Sequence, residues 1–199
     1  MVGAVRYEGG VLTPTEDALA VESLLQIRVN GAPYTTTVRT PGHDAFLARG
    51  LLFSERVIIA AEAPCAFEVV LDPESGLPGA IDVQVPVAYL ARAVDDRRSL
   101  AATASCGLCG VRDAEDLKLY GGPLRVAVGE TLALTRVGGM MAAMRAGQLA
   151  FQATGGSHAA AAFTLDGELL AVFEDIGRHN AVDKVVGALV SEDRLARAR

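Results

Sequence analysis

Two apolar runs, Leu24 to Val29 and Ala32 to Val38, are separated by Asn30-Gly31. Asn-Gly between such runs supplies the two positive-φ positions of a type I′ turn, so this stretch predicts a β-hairpin. Thr40-Pro41-Gly42 ends the second strand in a turn. Asp44 suits an N-cap, and Phe46, Leu47, Gly50, Leu51 and Phe53 then share one helical face. Phe67-Val69-Leu71 and Ile81-Val83-Val85 alternate as strands around a turn-rich loop at 72–79. The first half therefore reads as antiparallel sheet with one helix packed on it.

The pattern changes after a charged, helical-looking stretch, Tyr89 to Leu100, and a small-residue stretch, Ala101 to Gly110. Leu132 to Ala146 reads as a helix despite Gly138-Gly139. Leu149 to Ala153 reads as a strand, Ala159 to Phe163 as a helix and Glu168 to Phe173 as a strand. Asn180 then caps a last helix, with Asp183 at N3 and Val182, Val185, Val186 and Leu189 along one face. Alternating strands and helices imply crossover connections and a layered α/β unit. The expected organisation is an N-terminal antiparallel β domain with one helix (1–100), a mobile loop (101–113) and an α/β domain (114–199).

Composition narrows the function. The 199 residues carry 18 basic and 24 acidic side chains, a net charge of −6, which argues against nucleic acid or an anionic membrane as partner. Apolar residues make up 51%, enough for a real core. The start has no apolar signal region, and the longest uncharged stretch, Gly147 to Leu165, is too polar to span a membrane. Three cysteines, Cys65, Cys106 and Cys109, do not make a disulfide framework. The expectation is a cytoplasmic, reduced protein whose cysteine pair does chemistry or holds metal.

Three segments could carry that chemistry. Ser105-Cys106-Gly107-Leu108-Cys109-Gly110 places two sulfurs at i and i+3, with a glycine after each. The spacing fits half a zinc site, a redox pair or a persulfide-carrying thiol. A structural zinc site needs four ligands; Cys65 is remote, and only His43, His158 and His179 could complete it. No convincing strand precedes the pair, as a thioredoxin-like motif would require. A low-pKa thiolate that carries sulfur would profit from a mobile loop. The bland alternative is a cysteine pair that merely fills a turn. Thr154-Gly155-Gly156-Ser157-His158 reads as a strand running into a helix start, a place for an anion, although a tight packing turn explains it as well. Glu174-Asp175-Ile176-Gly177-Arg178-His179-Asn180 crowds polar groups at a strand exit, where open α/β sheets bind ligands. There Arg178 could grip a phosphate and His179 could move a proton, against the plainer reading of a capped helix. His43 reads as a surface turn residue, Met140, Met141 and Met144 as core filler, and Cys65 as an inert thiol.

Together these motifs resemble the formate dehydrogenase accessory sulfurtransferases, the FdhD proteins. The matching stretches are Val29-Asn30-Gly31, Val38 to Gly42, Gly50 to Phe53, Cys106 to Gly110, Thr154 to Ala160 and Glu174 to Lys184, in the family's order. The resemblance implies a sulfurtransferase that takes sulfur from a cysteine desulfurase and passes it to the molybdenum cofactor, bis-molybdopterin guanine dinucleotide, of formate dehydrogenase. Cys106 would bear the persulfide and Cys109 would assist. Gly155, Gly156, His158, Arg178 and His179 would hold the cofactor as a transient ligand. No metal site is expected. The implied fold is a small antiparallel N-terminal domain on a cytidine-deaminase-like α/β layer, in a homodimer. Zinc deaminases pair His-x-Glu with Pro-Cys-x-x-Cys, and neither the His-x-Glu nor the proline is present, so deaminase chemistry is not implied. Family members continue through further strand-helix units beyond the Asn180 helix, so the α/β layer is expected to be incomplete at its C-terminal end. The competing hypothesis is a non-catalytic chaperone that binds the cofactor, with structural cysteines.

Overall fold

The computed structural model describes residues 2–91 and 131–198. Four strands form a sheet in the order β4-β3-β6-β5: β3 is Ser23–Val29, β4 Ala32–Arg39, β5 Ala66–Leu71 and β6 Pro78–Gln84. Asn30 (φ 49°) and Gly31 (φ 82°) both lie in the left-handed region, as the type I′ turn between β3 and β4 demands. The Asn30 side chain also extends the sheet. Its Nδ2 donates to the Val85 carbonyl at 2.9 Å, and its Oδ1 accepts from the Val85 N–H at 2.9 Å.

The sheet is not wholly antiparallel. β3 and β6 run parallel, Gln26 to Val29 beside Ala80 to Val83, because α1 (Asp44–Ser54) and β5 form the crossover between them. Leu25, Ile27, Val29, Ile81 and Val83 point from the sheet onto Leu47, Ala48, Leu51 and Leu52 of α1 and make the main core. Each such large aliphatic side chain contributes on the order of 1.5–3 kcal/mol on full burial.

The N-cap of α1 is His43, in the left-handed conformation (φ 57°), rather than Asp44. Asp44 is drawn off by a buried arginine. Arg39 donates from Nε and Nη2 to the two Asp44 carboxylate oxygens at 2.7 and 3.1 Å, and also reaches Pro78 O and Ser23. A bidentate, desolvated ion pair outweighs one cap hydrogen bond.

The second part differs from expectation in two elements. After α2 (Leu134–Ala146), the stretch expected as a strand is the short helix α3, Leu149–Thr154. The alanine run expected as a helix is the strand β7, His158–Phe163, antiparallel to β8, Leu169–Asp175. Pairing with β8 overrides the helix propensity of alanine. α4, Arg178–Ser191, is capped at Gly177 instead of Asn180. Val182 is exposed, and the buried face runs through Ala181, Val185, Ala188 and Leu189. A second, smaller core joins Leu170 with Val185 and Leu189.

α1 and α4 meet backbone to backbone. A Cβ on Gly50 would stand 1.8 Å from the Asp183 carbonyl oxygen, and one on Gly187 1.9 Å from that of Phe46. Only two glycines allow this crossing. α2 has no buried residue. Met141 is exposed and lines, with Met144, Arg145 and Phe151, an open depression of about 390 Å³, so Met141 and Met144 line a surface depression rather than fill a core. β1 (Val2–Glu8) and β2 (Val11–Asp17) form a separate two-stranded ribbon.

Candidate functional site

The register of the β7–β8 pair places His158 opposite Asp175. The start of β7 and the end of β8 therefore share one edge, and the two polar motifs lie side by side. Ser157 is buried and donates from Oγ to Glu174 Oε1 at 2.7 Å. The same carboxylate accepts the Ala150 and Phe151 N–H groups at 2.7 Å each. Glu174 thus occupies the positive end of α3, where a negative charge is favoured.

The other end of α3 is the Gly155-Gly156 turn. Gly155 (φ 65°) is its left-handed C-cap. The turn lies at the negative end of a helix, so the anion argument made for it from sequence does not apply there. The positive end at this edge belongs to α4, whose first residues are Arg178 and His179.

Behind that helix start lies a buried polar hub. Asp175 is fully buried, and its Oδ2 is 2.7 Å from Lys184 Nζ, which is equally buried. Asp175 also accepts the N–H groups of Thr40 and Gly177 at 3.2 and 2.9 Å and Asn180 Nδ2 at 3.1 Å. Lys184 donates further to the Thr40 and Glu174 carbonyls at 2.9 and 3.2 Å. Asn180 Nδ2 reaches Val38 O at 2.8 Å, and Thr40 Oγ1 accepts the Ile176 N–H at 2.9 Å. Every hydrogen on the Lys184 ammonium has an acceptor, as a buried charge requires.

The polar segment 174–180 thus divides by role. Asp175 and Asn180, with Lys184, fix the turn to β4 and to Thr40, while Arg178 stays exposed and His179 half-buried. Arg178, His179, His158, Gly155 and Gly156 gather at one edge. Cys106 and Cys109 lie outside the described residues. Sequence reasoning missed the hub. The signal was the i, i+4 spacing of Asn180 and Lys184, which puts both on one face of the helix.

Two other groups have defined surroundings. The His43 ring stacks parallel to Phe46 at 6.1 Å and meets Phe173 edge-on at 4.7 Å. Arg49 donates to Cys65 Sγ at 2.5 Å and to the carbonyls of Ala61 and Ala63. Burial pushes the Cys65 thiol up, more strongly than Arg49 pulls it down. Cys65 is therefore a structural thiol, in accord with its reading as inert. Among the described residues no helix is long and apolar enough to cross a membrane.

A family model described as FdhD/NarQ matches residues 20–199. The chain is similar to the sulfur carrier protein FdhD of Nocardia farcinica, 44% identical over 181 residues, covering 90% of this chain and 64% of that protein. It is 41% identical over 192 residues to the protein of the same name from Mycobacterium tuberculosis, covering 90% and 67%. The chain thus spans about two thirds of the length of these curated relatives. A crystal structure described as a formate dehydrogenase accessory protein from Desulfotalea psychrophila superposes with a TM-score of 0.67 at 20% identity, over 100% of this chain and 70% of that one. The fold, the order of the motifs and the match over residues 20–199 agree, and the chain belongs to the FdhD/NarQ family.

Proposed function

We propose that this chain is a sulfur carrier in the service of formate dehydrogenase. The observation that carries the reading is the Cys106-Gly107-Leu108-Cys109-Gly110 sequence in a member of a family whose relatives bear the name sulfur carrier protein. The Cys106 thiolate attacks the outer sulfur of a persulfide on a cysteine desulfurase. The new S–S bond forms on Cys106 as the desulfurase thiolate leaves, so the exchange needs no external oxidant. Cys109 assists release of that sulfur to the substrate, the bis-molybdopterin guanine dinucleotide cofactor. This chemistry requires free thiols and hence a reducing compartment, the cytoplasm.

The nucleotide end of that substrate carries phosphates. Arg178 is exposed at the positive end of α4, with His179 beside it, and both suit an anion. His158 borders the same edge and joins the proposed contact, while Gly155 and Gly156, at the negative end of α3, flank it without holding a phosphate. The buried Asp175–Lys184 pair holds this edge rigid and takes no part in the chemistry.

Intact-mass measurement after incubation with a cysteine desulfurase and cysteine tests the carrier role. The expected result is a reductant-labile gain of about one sulfur atom. Cys106→Ser abolishes the gain, whereas Cys109→Ser still loads sulfur and transfers it poorly. Loss of loading in Cys109→Ser alone would reverse the two roles. A chain that gains no sulfur yet binds the cofactor would be a chaperone instead.

A further inference from the structure

β5 ends its sheet, and its outward edge is open. Among the described residues no strand lies beyond it in the order β4-β3-β6-β5. Two observations fix which of its backbone groups face outward. The Asn30 N–H donates to the Val83 carbonyl at 3.1 Å, so Val83 and Ile81 turn toward β3, and Asp82 and Ala80 toward β5. Their partners Glu68 and Val70 therefore exchange hydrogen bonds with β6. The Asp72 N–H, which donates to the Leu77 carbonyl at 2.8 Å, continues the same alternation. Phe67, Val69 and Leu71 thus turn their N–H and C=O groups outward.

This edge has little protection. Ala66–Leu71 contains no proline, lysine or arginine. The one irregularity is an extra residue, Gly79, on the β6 side of the pair. Val69 is 50%, Val70 52% and Leu71 60% exposed. The opposite edge of the sheet is closed: β4 contains Pro33, and its Val38 carbonyl is taken by Asn180 Nδ2. The loop after β5 is held by Asp72, whose carboxylate accepts the Ser75 N–H and hydroxyl at 2.8 Å each. The β5 edge is a preformed template for one more strand.

Charge selects the occupant. Phe67, Val69 and Leu71 lie on the face that carries α1, where Phe67 packs on the core. Glu68 lies on the other face, directly opposite Asp82. Like charges so placed repel each other. Arg28, beside Asp82 on β3, donates to Gln26 instead. Residues 57–91 contain five acidic side chains and no lysine, arginine or histidine. A second copy of β5 would only add another Glu68 to this acidic face. We propose that the β5 edge is an interaction surface for an extended basic segment of another protein, which joins the sheet as a fifth strand. Alternate residues of that segment are apolar and lie beside Val69 and Leu71. Those between them are lysine or arginine and lie beside Glu68. The assignment does not depend on the sulfur chemistry.

Fluorescence anisotropy with the full chain tests this. The probe is a labelled, end-capped peptide of alternating valine and lysine, and its counterpart has glutamate in place of lysine. The lysine peptide binds, and the glutamate peptide binds about tenfold more weakly or worse. Glu68→Lys weakens the lysine peptide about fivefold and strengthens the glutamate peptide, a reversal that a misfolded variant would not give. Val69→Pro removes an outward N–H while keeping those that bond β6, and weakens the lysine peptide about tenfold. In the complex, amide exchange slows at Phe67, Val69 and Leu71. A lysine peptide that does not bind, binding indifferent to both variants, or amide protection away from β5 would overturn the assignment. So would a wild-type dimer that Val69→Pro dissolves, since the occupant would then be a second copy.

Discussion

Gly50→Ala turns an ordinarily favourable substitution into a damaging one. In an exposed helix, exchanging glycine for alanine gains about 1 kcal/mol. At Gly50 the new Cβ would lie 1.8 Å from the Asp183 carbonyl oxygen, whereas real Cβ contacts do not fall below 3.0 Å. α1 and α4 must therefore part by about 1.2 Å at their crossing. A gap of ~0.5–1 Å already forfeits a quarter to a half of each dispersion contact it opens. Overpacking of this kind costs about 1–3 kcal/mol and occasionally more. The obstacle is backbone on both sides, so the upper part of that range applies, and the net loss is about 2 kcal/mol. For a chain of this size that lowers the melting temperature by roughly 4–8 °C. Gly138 and Gly139 in α2 are the control, because a Cβ at either meets nothing within 4 Å. Gly138→Ala should raise the melting temperature by a few degrees while Gly50→Ala lowers it. Equal shifts in the two variants, read by differential scanning calorimetry, would refute the crossing as the cause.

Other expectations follow from the polar groups. Lys184→Met leaves the Asp175 carboxylate buried without its cation and should cost about 3–5 kcal/mol in urea denaturation; adding Asp175→Asn should recover part of the loss. Glu174→Gln removes the charge at the N-terminus of α3 and should cost about 0.5–2 kcal/mol, with faster amide exchange at Ala150 and Phe151. Cys65, its thiol pushed up by burial, should alkylate more slowly at neutral pH than a free thiol, and Arg49→Met should slow it further. Because the folded state favours the neutral thiol, the stability it lends is lost as pH rises through the raised pKa, and Cys65→Ala should flatten alkaline unfolding profiles. The Asp72 carboxyl, held low by the Ser75 N–H and hydroxyl, should titrate below an ordinary aspartate by NMR.

Local chemistry made the first half of the fold legible. Asn30-Gly31 dictates its own turn, and apolar runs that face one core carry their period in the sequence. The parallel pairing of β3 with β6 has no such local signal, since it depends on where α1 and β5 carry the chain. Ala159 to Ala162 reads as a helix in isolation, and only β8 makes it a strand. That error reversed the polarity of the Gly155-Gly156 turn. Polar residues mislead in a similar way. Asp175, Asn180 and Lys184 look like ligand groups in a list, but their partners, Val38 and Thr40, stand far away in the chain. The position of Arg178 and His179 at a helix start was legible, because a strand exit followed by a helix is a local pattern.

The Lys184–Thr40 hydrogen bond spans 144 residues of sequence. During synthesis the hairpin and α1 therefore emerge well before the residues that tie them down. At ordinary translation rates of ~5–20 residues per second the wait is roughly 7–30 s. Throughout it, the glycine face of α1 has no α4 to lie against, and buried Arg39 already holds Asp44 without the hub that later fixes Thr40. The nascent N-terminal sheet and helix are thus a natural client for a chaperone, and a slow stretch of messenger between them and α4 would lengthen that exposure.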